Sequence, residues 1–345
     1  MLMVIAGAGA SYDSIPSRHP GSGANEEMRL PLADALFESR VLFEEILREI
    51  PQAMPIAPLL QNRKNGASVE DILARFASEA VSYPDRQVQL AAVRFYLQAI
   101  IARCEEGWYR NTQLPTNMMV LVDQIESFRA KRQRPIFVTF NYDRLIENAL
   151  ENRGQSFGSL DDYWRDDRTN VFKLHGSVDW VRPIARIDAT QYGGSVWETA
   201  RQVASRIAEL PKPGEIVPWS AIPGSRTRDM LAVPAIAIPL KGKDSFECPD
   251  SHVQALRQAL PKVTTIVTIG WRGAEAHFLK LLQDHCRQAI QVICVARNQA
   301  EAEEPIANLS SALSRAQCVG VGGGFTGFVH EFGIERLLNI TWAEE

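Results

Sequence analysis

Three short segments of this sequence carry residue types that could act together on a nucleotide. They are Gly7-Ala8-Gly9-Ala10-Ser11, Thr139-Phe140-Asn141-Tyr142-Asp143 and Leu174-His175-Gly176-Ser177. Glycines in the first segment let the backbone approach a diphosphate, and the following amides and helix start can donate to it. The second segment offers an amide and a carboxylate, and the third offers a histidine that can accept a proton near neutral pH. Together they suggest chemistry on a dinucleotide.

The elements that must position these segments are strands of a parallel sheet. Apolar, largely β-branched runs that read as buried strands recur along the chain, at Leu2–Ala6, Ile136–Phe140, Val171–Leu174, Val233–Ile238, Thr265–Ile269, Ile290–Ala296 and Gln317–Val321. Helical patterns lie between several of them. This alternation predicts an α/β fold with a Rossmann-like, doubly wound parallel sheet. The three polar segments then lie at strand carboxyl ends, the edge of such a sheet where nucleotides bind.

Two stretches interrupt the alternation of strands and helices. The first two strands lie too far apart for one crossover helix, and most of that gap repeats apolar residues at helical spacing. We therefore predict a helical module at residues 31–130, inserted into a sheet domain made of residues 1–30 and 131–345. A second, irregular insertion is predicted at residues 180–230. The loop Ser17–Ala24 could form a flap over a ligand, or simply a surface loop.

Composition narrows the function classes. The 345 residues are 46% hydrophobic and 23% charged, which is ordinary for a globular protein. A net charge of −4 gives no support for a nucleic-acid or membrane surface. The five cysteines include no CxxC pair, which argues for reduced thiols and against a four-cysteine zinc site. We expect a cytoplasmic protein without a metal, a membrane anchor or direct nucleic-acid binding.

Each segment also has a purely structural interpretation. A Gly-x-Gly after a strand is as often a simple turn, and Tyr12 stands where the third glycine of a full GxGxxG would be. Asp143 could cap the helix that begins near Arg144. His175 could be a satisfied structural histidine, although the neighbouring Gly176 leaves room for a ligand beside the ring. Only the combination of the three segments is specific.

In their order and residue types, the three segments together resemble the sirtuin superfamily, in particular its bacterial sirtuin-like NADase branch. The resemblance implies that the turn Gly7–Ser11 binds the diphosphate of NAD. It implies that Asn141 contacts the nicotinamide ribose and the attacking water. Asp143 would hold the nicotinamide amide, and His175 would be the general base.

Two later segments resemble the family more loosely. Gly270 stands where the family has a glycine near the phosphates, but Arg272 replaces a small hydroxyl residue there. Asn298 stands where relatives place an asparagine beside the adenosine ribose, with a helix cap as an equal alternative. The zinc module and the long cofactor loop of protein-deacylating sirtuins are missing, which favours water as the nucleophile.

The resemblance thus implies NAD hydrolysis to nicotinamide and ADP-ribose, with NAD as substrate and no metal, in a gated effector of bacterial anti-phage defence. An ungated NADase would kill its host and no sensor domain is visible. We therefore expect a homo-oligomer or a gating partner protein such as an ATPase or nuclease. Two alternatives stay open: an NAD-dependent protein deacylase without zinc, and a non-catalytic sensor of NAD or ADP-ribose. The choice between NAD and NADP is also open.

Overall fold

In the part of the chain that the computed structural model describes, nine strands form two sheets. The structure describes residues 1–15, 26–63, 66–111, 115–129, 134–186, 196–210, 213–221, 230–240 and 245–332. The strands are β1 (Leu2–Ala6), β2 (Ile136–Thr139), β3 (Asn170–Lys173), β4 (Gly176–Arg186), β5 (Val217–Pro218), β6 (Met230–Ile236), β7 (Thr265–Ile269), β8 (Ile290–Val295) and β9 (Ala316–Val321).

The larger sheet is parallel and has the order β3-β2-β1-β7-β8-β9. All residues of β1 and β7 are buried, as expected for strands covered on both faces. The chain builds outward from β1 in both directions, so the predicted doubly wound, Rossmann-like sheet is confirmed. The register places Ala6 opposite both Thr139 and Ile269, so the carboxyl ends of β1, β2 and β7 lie level at one edge.

The smaller sheet is antiparallel, with the order β5-β4-β6. It corrects one expectation, because the run Val233–Ile238 contributes to β6 and not to the parallel sheet. A continuous apolar run indicates a buried strand but does not specify which strand it pairs with. The strand β4 also continues through residues 180–186, the start of the stretch predicted to be irregular.

Helices cover the sheet and fill the gap between β1 and β2. The described α-helices are α1 (Ala8–Tyr12), α2 (Val41–Glu49), α3 (Ala57–Gln61), α4 (Val69–Glu79), α5 (Pro84–Asn111), α6 (Asn117–Arg129), α7 (Leu145–Glu151), α8 (Val196–Ser205), α9 (Asp250–Ala259), α10 (Ala276–His285), α11 (Gln299–Ala312) and α12 (Gly324–Gly327). Helices α2 to α6 share one buried hydrophobic cluster with the parallel sheet. We keep the division into sheet domain and inserted helical module as a proposal based on chain connectivity.

None of the helices in the described part of the chain is long and apolar enough to cross a lipid bilayer.

Gly176 fixes how the chain leaves β3 and enters β4. Its φ is +86°, a left-handed value, and a Cβ built there would lie 1.8 Å from the carbonyl oxygen of Ala235. The preceding residue, His175, accepts a backbone hydrogen bond from Ala237 at 2.9 Å. The glycine therefore lets the second sheet approach closely and holds the backbone of His175 in place.

Gly154 offers a matched control, with a φ of +84° and nothing within 4 Å of a built Cβ. We expect Gly154→Ala to lower the free energy of unfolding by only the conformational cost, about 1–2 kcal/mol. Gly176→Ala adds a steric conflict worth about 1–3 kcal/mol more. Urea unfolding followed by circular dichroism measures both. Equal losses for the two variants would contradict this assignment.

Candidate functional site

Ser11, Asn141 and Asp143 form one hydrogen-bonded group at the carboxyl edge of the parallel sheet. The Asn141 amide Nδ2 donates to the Gly7 carbonyl and to Ser11 Oγ, both at 2.7 Å. Ser11 Oγ in turn donates to Asp143 Oδ2 at 2.5 Å. The glycine turn after β1 is thereby tied to the loop after β2. Two of the three predicted segments meet in this group.

The glycines of the first turn bring two strand-end loops into backbone contact. Gly7 donates to the Ile269 carbonyl at 3.0 Å and Gly9 to the Gly270 carbonyl at 3.1 Å. A Cβ on Gly7 would lie 2.5 Å from the Gly270 oxygen, and Gly270 itself has a φ of +56°. Ala8 and Ala10 begin helix α1, in which Ala10 is buried. The predicted site residue Gly270 therefore lies directly against the turn, and diphosphate binding there stays a prediction.

Asp143 is buried, and both of its carboxylate oxygens accept hydrogen bonds. Oδ2 receives the Ser11 hydroxyl, and Oδ1 receives the backbone N–H of Leu145 at 3.1 Å. The second bond forms an Asx turn from the residue before the N-cap, Arg144, to Leu145, and it satisfies a backbone N–H at the start of α7 as the sequence's capping alternative would. A carboxylate oxygen has two lone pairs, so this bond is compatible with the predicted contact to a nicotinamide amide.

His175 lies in an aromatic group on the neighbouring strand end. Its half-buried ring meets the ring of Phe140 at 5.0 Å between centroids, in an edge-on arrangement, and that of His277 at 6.3 Å. Trp271 stacks on the other side of this group, 5.7 Å from Phe140. Residues of β2, β3, β7 and α10 or their flanks thus surround the candidate base.

Asn141 and His175 reach the same edge from adjacent strands. Thr139 and Lys173 are register partners, and the two candidate residues each follow two positions later. Their side chains have different neighbours, because Asn141 bonds to Ser11 and Gly7 while His175 packs on Phe140. Hydrogen bonds in ligand-free sites often rearrange when substrate binds, so convergence on one sugar stays a prediction.

The sequence analysis missed a buried ion pair behind this edge. Lys173 Nζ lies 3.0 Å from Glu147 Oε1, and both side chains are fully buried. Lys173 also donates to the backbone carbonyl of Asp143, and the Tyr163 hydroxyl donates to Glu147 at 3.1 Å. A signal was present, because a lysine inside the apolar run Val171–Leu174 requires a buried partner.

A second missed residue, Glu105 of helix α5, contacts the same loop. Its Oε2 accepts the backbone N–H of Arg144 at 3.0 Å, and its Oε1 accepts the amide of Asn148. Burial raises the pKa of Glu105 to about 8, and the negative charge of Asp143 adds to this rise. No sequence pattern identified Glu105, since charged residues are common on helices and only the fold shows that this one is buried.

The remaining predicted positions lie further along the edge. Asn298 is exposed, and its Oδ1 accepts the N–H of Glu301 at 3.0 Å, so it caps helix α11 as the structural alternative stated. Its role at an adenosine ribose stays a prediction. Arg272 is exposed beside the loop of Gly270. The whole of the proposed flap Ser17–Ala24 lies outside the described residues.

A cleft of about 710 Å³ opens beside the aromatic group, between α9 and α10. His277, Phe246 and Cys248 line it, together with polar side chains of the two helices such as Arg257 and Lys280. The ring of His277 therefore borders both this cleft and the surroundings of His175. Over the ranges that the structure describes, no group of three or more His, Cys, Asp and Glu side chains is arranged to hold a metal ion.

Comparison with known proteins gives one family match. A family model described as "SIR2-like domain" matches residues 135–304. This stretch contains Asn141, Asp143, His175, Gly270 and Asn298 and leaves out the turn Gly7–Ser11. Residues 135–304 are thus similar to SIR2-like domains. No curated protein sequence matches the chain.

Solved structures of sirtuins are similar at a low level. One, described as Sir2 in complex with the inhibitor EX-527, 2'-O-acetyl-ADP-ribose and deacetylated p53-peptide, is 14% identical, with a TM-score of 0.41 over 100% of this chain and 95% of that chain. Another, described as a Sir2 homolog-NAD complex, is 13% identical, with a TM-score of 0.40 over 100% and 90%. No functional conclusion is drawn from similarity at this level.

The raised pKa of Glu105 predicts a pH dependence of stability. Its pKa lies above the ordinary value of 4.5, so the folded chain holds a proton that the unfolded chain releases between about pH 4.5 and 8. This group therefore makes folding less favourable as pH rises through that window. We expect Glu105→Gln to show a smaller loss of unfolding free energy between pH 6 and pH 9 than the wild type does.

Urea unfolding at the two pH values measures this difference. The exposed neighbour Glu106 provides the control, because Glu106→Gln removes a carboxylate from the solvent side of the same helix. If Glu105→Gln and Glu106→Gln respond to pH alike, the assignment of a buried, proton-binding Glu105 is wrong.

Proposed function

We propose that this chain hydrolyses NAD⁺ to nicotinamide and ADP-ribose at the carboxyl edge of its parallel sheet. The observation that carries the proposal is the group in which Ser11 bonds to both Asn141 and Asp143. It joins a glycine turn suited to a diphosphate with an amide and a carboxylate suited to a ribose and a carboxamide. His175 ends the adjacent strand. The match of residues 135–304 to the SIR2-like domain supports NAD as the nucleotide.

Cleavage of the nicotinamide–ribose bond builds positive, oxocarbenium-like character on the sugar. In the proposed mechanism Asp143 accepts hydrogen bonds from the nicotinamide carboxamide and orients the leaving group. Asn141 places a water beneath C1 of the ribose, and His175 accepts a proton from that water or from a ribose hydroxyl. Positioning and preorganised charge supply most of the rate enhancement in such a site.

Water is the proposed nucleophile because the sequence lacks the features of an acyl-lysine enzyme. It has no paired cysteines for a zinc module, and four of its five cysteines are separately buried as free thiols. Burial raises the pKa of Cys286 and Cys294 to about 11, so both are protonated thiols near neutral pH.

One observation favours a second candidate function, NAD-dependent protein deacylation. The cleft between α9 and α10 reaches His277, whose ring centroid lies 6.3 Å from that of His175. It could admit a peptide close to the candidate base. Deacylation requires an acylated peptide and gives O-acyl-ADP-ribose, whereas hydrolysis requires only NAD and water.

The decisive experiment separates the products after incubation with NAD, with and without an acetyl-lysine peptide. We expect nicotinamide and ADP-ribose without peptide. Asn141→Ala and His175→Ala should each lower the turnover about 10²–10⁴-fold, the usual contribution of a positioned catalytic group. The exposed residue Asn152 supplies a control, and Asn152→Ala should keep full activity. Circular dichroism checks that each variant is folded.

Each other outcome points to a defined alternative. Turnover that requires the acetyl-lysine peptide would replace hydrolysis by deacylation. NAD binding without turnover, in every assembly state of the wild type, would leave the sensor interpretation. Full activity in both Asn141→Ala and His175→Ala would remove these residues from the mechanism.

We further propose that the activity is gated, as in an anti-phage effector, because constant NAD hydrolysis would be lethal. Self-association or a partner protein such as an ATPase or nuclease would supply the gate. Light scattering and the specific activity, both measured over a range of protein concentrations, test self-association, and we expect activity per chain to change with assembly. A monomer with constant full activity would contradict gating of either kind.

A further inference from the structure

Helix α5 contacts the loop after β2 and the start of strand β4, the two segments that adjoin the candidate catalytic residues. Gln98 Nε2 donates to the Val178 carbonyl at 2.7 Å, and Glu105 Oε2 accepts the backbone N–H of Arg144 at 3.0 Å. Residues 98 and 105 are two helical turns apart, so their side chains leave α5 on the same face. One face of one helix therefore binds the chain after β2 and the chain after β3.

The loop after β2 and the start of β4 are also bonded to each other. The N–H of Val178 donates to the Tyr142 carbonyl at 2.9 Å. Arg144 follows Asp143 directly, and Val178 lies three residues after His175. The side chain of Arg144 reaches Asp179 of β4 at 3.0 Å, which adds an ion pair between the same two segments. A displacement of α5 would therefore move the surroundings of both candidate residues together.

The Glu105 contact joins a buried carboxylate to two half-buried polar side chains. Asn148 Nδ2 donates to Glu105 and also to the Tyr109 hydroxyl at 3.1 Å, and Tyr109 lies one turn beyond Glu105 on α5. On its other side the loop is held by Lys173, which donates to the Asp143 carbonyl. The backbone around Asp143 is thus fixed from α5 and from β3 at once.

We propose that Glu105 and Gln98 are positioning residues, through which helix α5 sets the geometry of Asn141, Asp143 and His175. The proposal rests on the proposed function, because it treats these three residues as the reacting site. Helix α5 also packs against α2, α4, α8 and both long strands of the smaller sheet. A partner or second copy that bound to α2, α4 or α8 would therefore change turnover by displacing α5.

The test separates the effect of the side-chain volume at position 105 from the effect of its hydrogen-bond acceptors. Glu105→Met retains the size but removes both acceptors, whereas Glu105→Gln keeps one oxygen for the Arg144 N–H. Gln98→Met removes the donor to Val178. Glu106→Gln on the exposed side of α5 is the control. Steady-state kinetics with NAD, normalised to the folded fraction, give kcat and KM for each variant.

We expect Glu105→Met and Gln98→Met to lower kcat at least 10-fold with KM changed less than about 3-fold, because a misplacement near 1 Å can cost about 10²-fold in rate. Glu105→Gln should recover most of the lost kcat. A residue that only stabilises the fold would change the folded fraction and leave kcat per folded molecule unchanged. That result, or a Glu105→Gln as impaired as Glu105→Met, would overturn the proposal.

Amide hydrogen exchange gives a readout that does not depend on NAD turnover. Exchange over residues 140–145 and 176–180 should rise in Glu105→Met and Gln98→Met relative to Glu106→Gln. If the wild type does not hydrolyse NAD, the proposed function fails while this measurement still decides whether α5 holds the two segments. Unchanged exchange in both segments would refute the positioning role.

Discussion

The hydroxyl of Ser11 is the point on which the polar edge of this sheet depends. It accepts a hydrogen bond from Asn141 and donates one to Asp143, so a single small side chain satisfies an amide and a buried carboxylate. Polar groups buried at a strand end are costly when they lack partners, about 1–3 kcal/mol for each group. The glycine turn delivers this hydroxyl because Gly7 and Gly9 pack backbone to backbone on Gly270, which leaves α1 level with the ends of β1 and β2.

Beneath that edge lies an excess of acidic groups around one buried lysine. Lys173 pairs with Glu147 and supports the carbonyl of Asp143, while Glu105 approaches the same loop from α5. Burial is the main cause of the raised pKa of Glu105, and the negative charges of Asp143 and Glu147 add to the rise while Lys173 opposes it. The loop is thus held by an interaction that does not need a charged Glu105.

Much of this arrangement could be predicted from the sequence, and the rest fails for physical reasons. The order of the three segments and their positions after apolar runs predicted that Asn141, Asp143 and His175 lie along one edge of the sheet, and their roles there stay predictions. The run Val233–Ile238 was assigned to the wrong sheet because hydrophobicity does not encode the pairing partner. Glu105 was missed because the contact joins positions far apart in the chain. Asn298 caps α11, the structural alternative that the sequence offered, and its role at an adenosine ribose stays a prediction.

In this structure Asn141 contacts the turn that is proposed to hold the diphosphate, whereas its proposed catalytic role is at the ribose. Its amide donates to the carbonyl of Gly7 and to the hydroxyl of Ser11, and both belong to the turn that would hold the diphosphate. A diphosphate accepts hydrogen bonds and donates none, so a nucleotide on that turn would compete for the Ser11 hydroxyl proton and for the Asn141 amide, and not for the Gly7 carbonyl. Binding of the phosphates would then change the hydrogen-bond partners of Asn141, so the residue that braces the turn in this structure is also the one proposed to position water at the ribose.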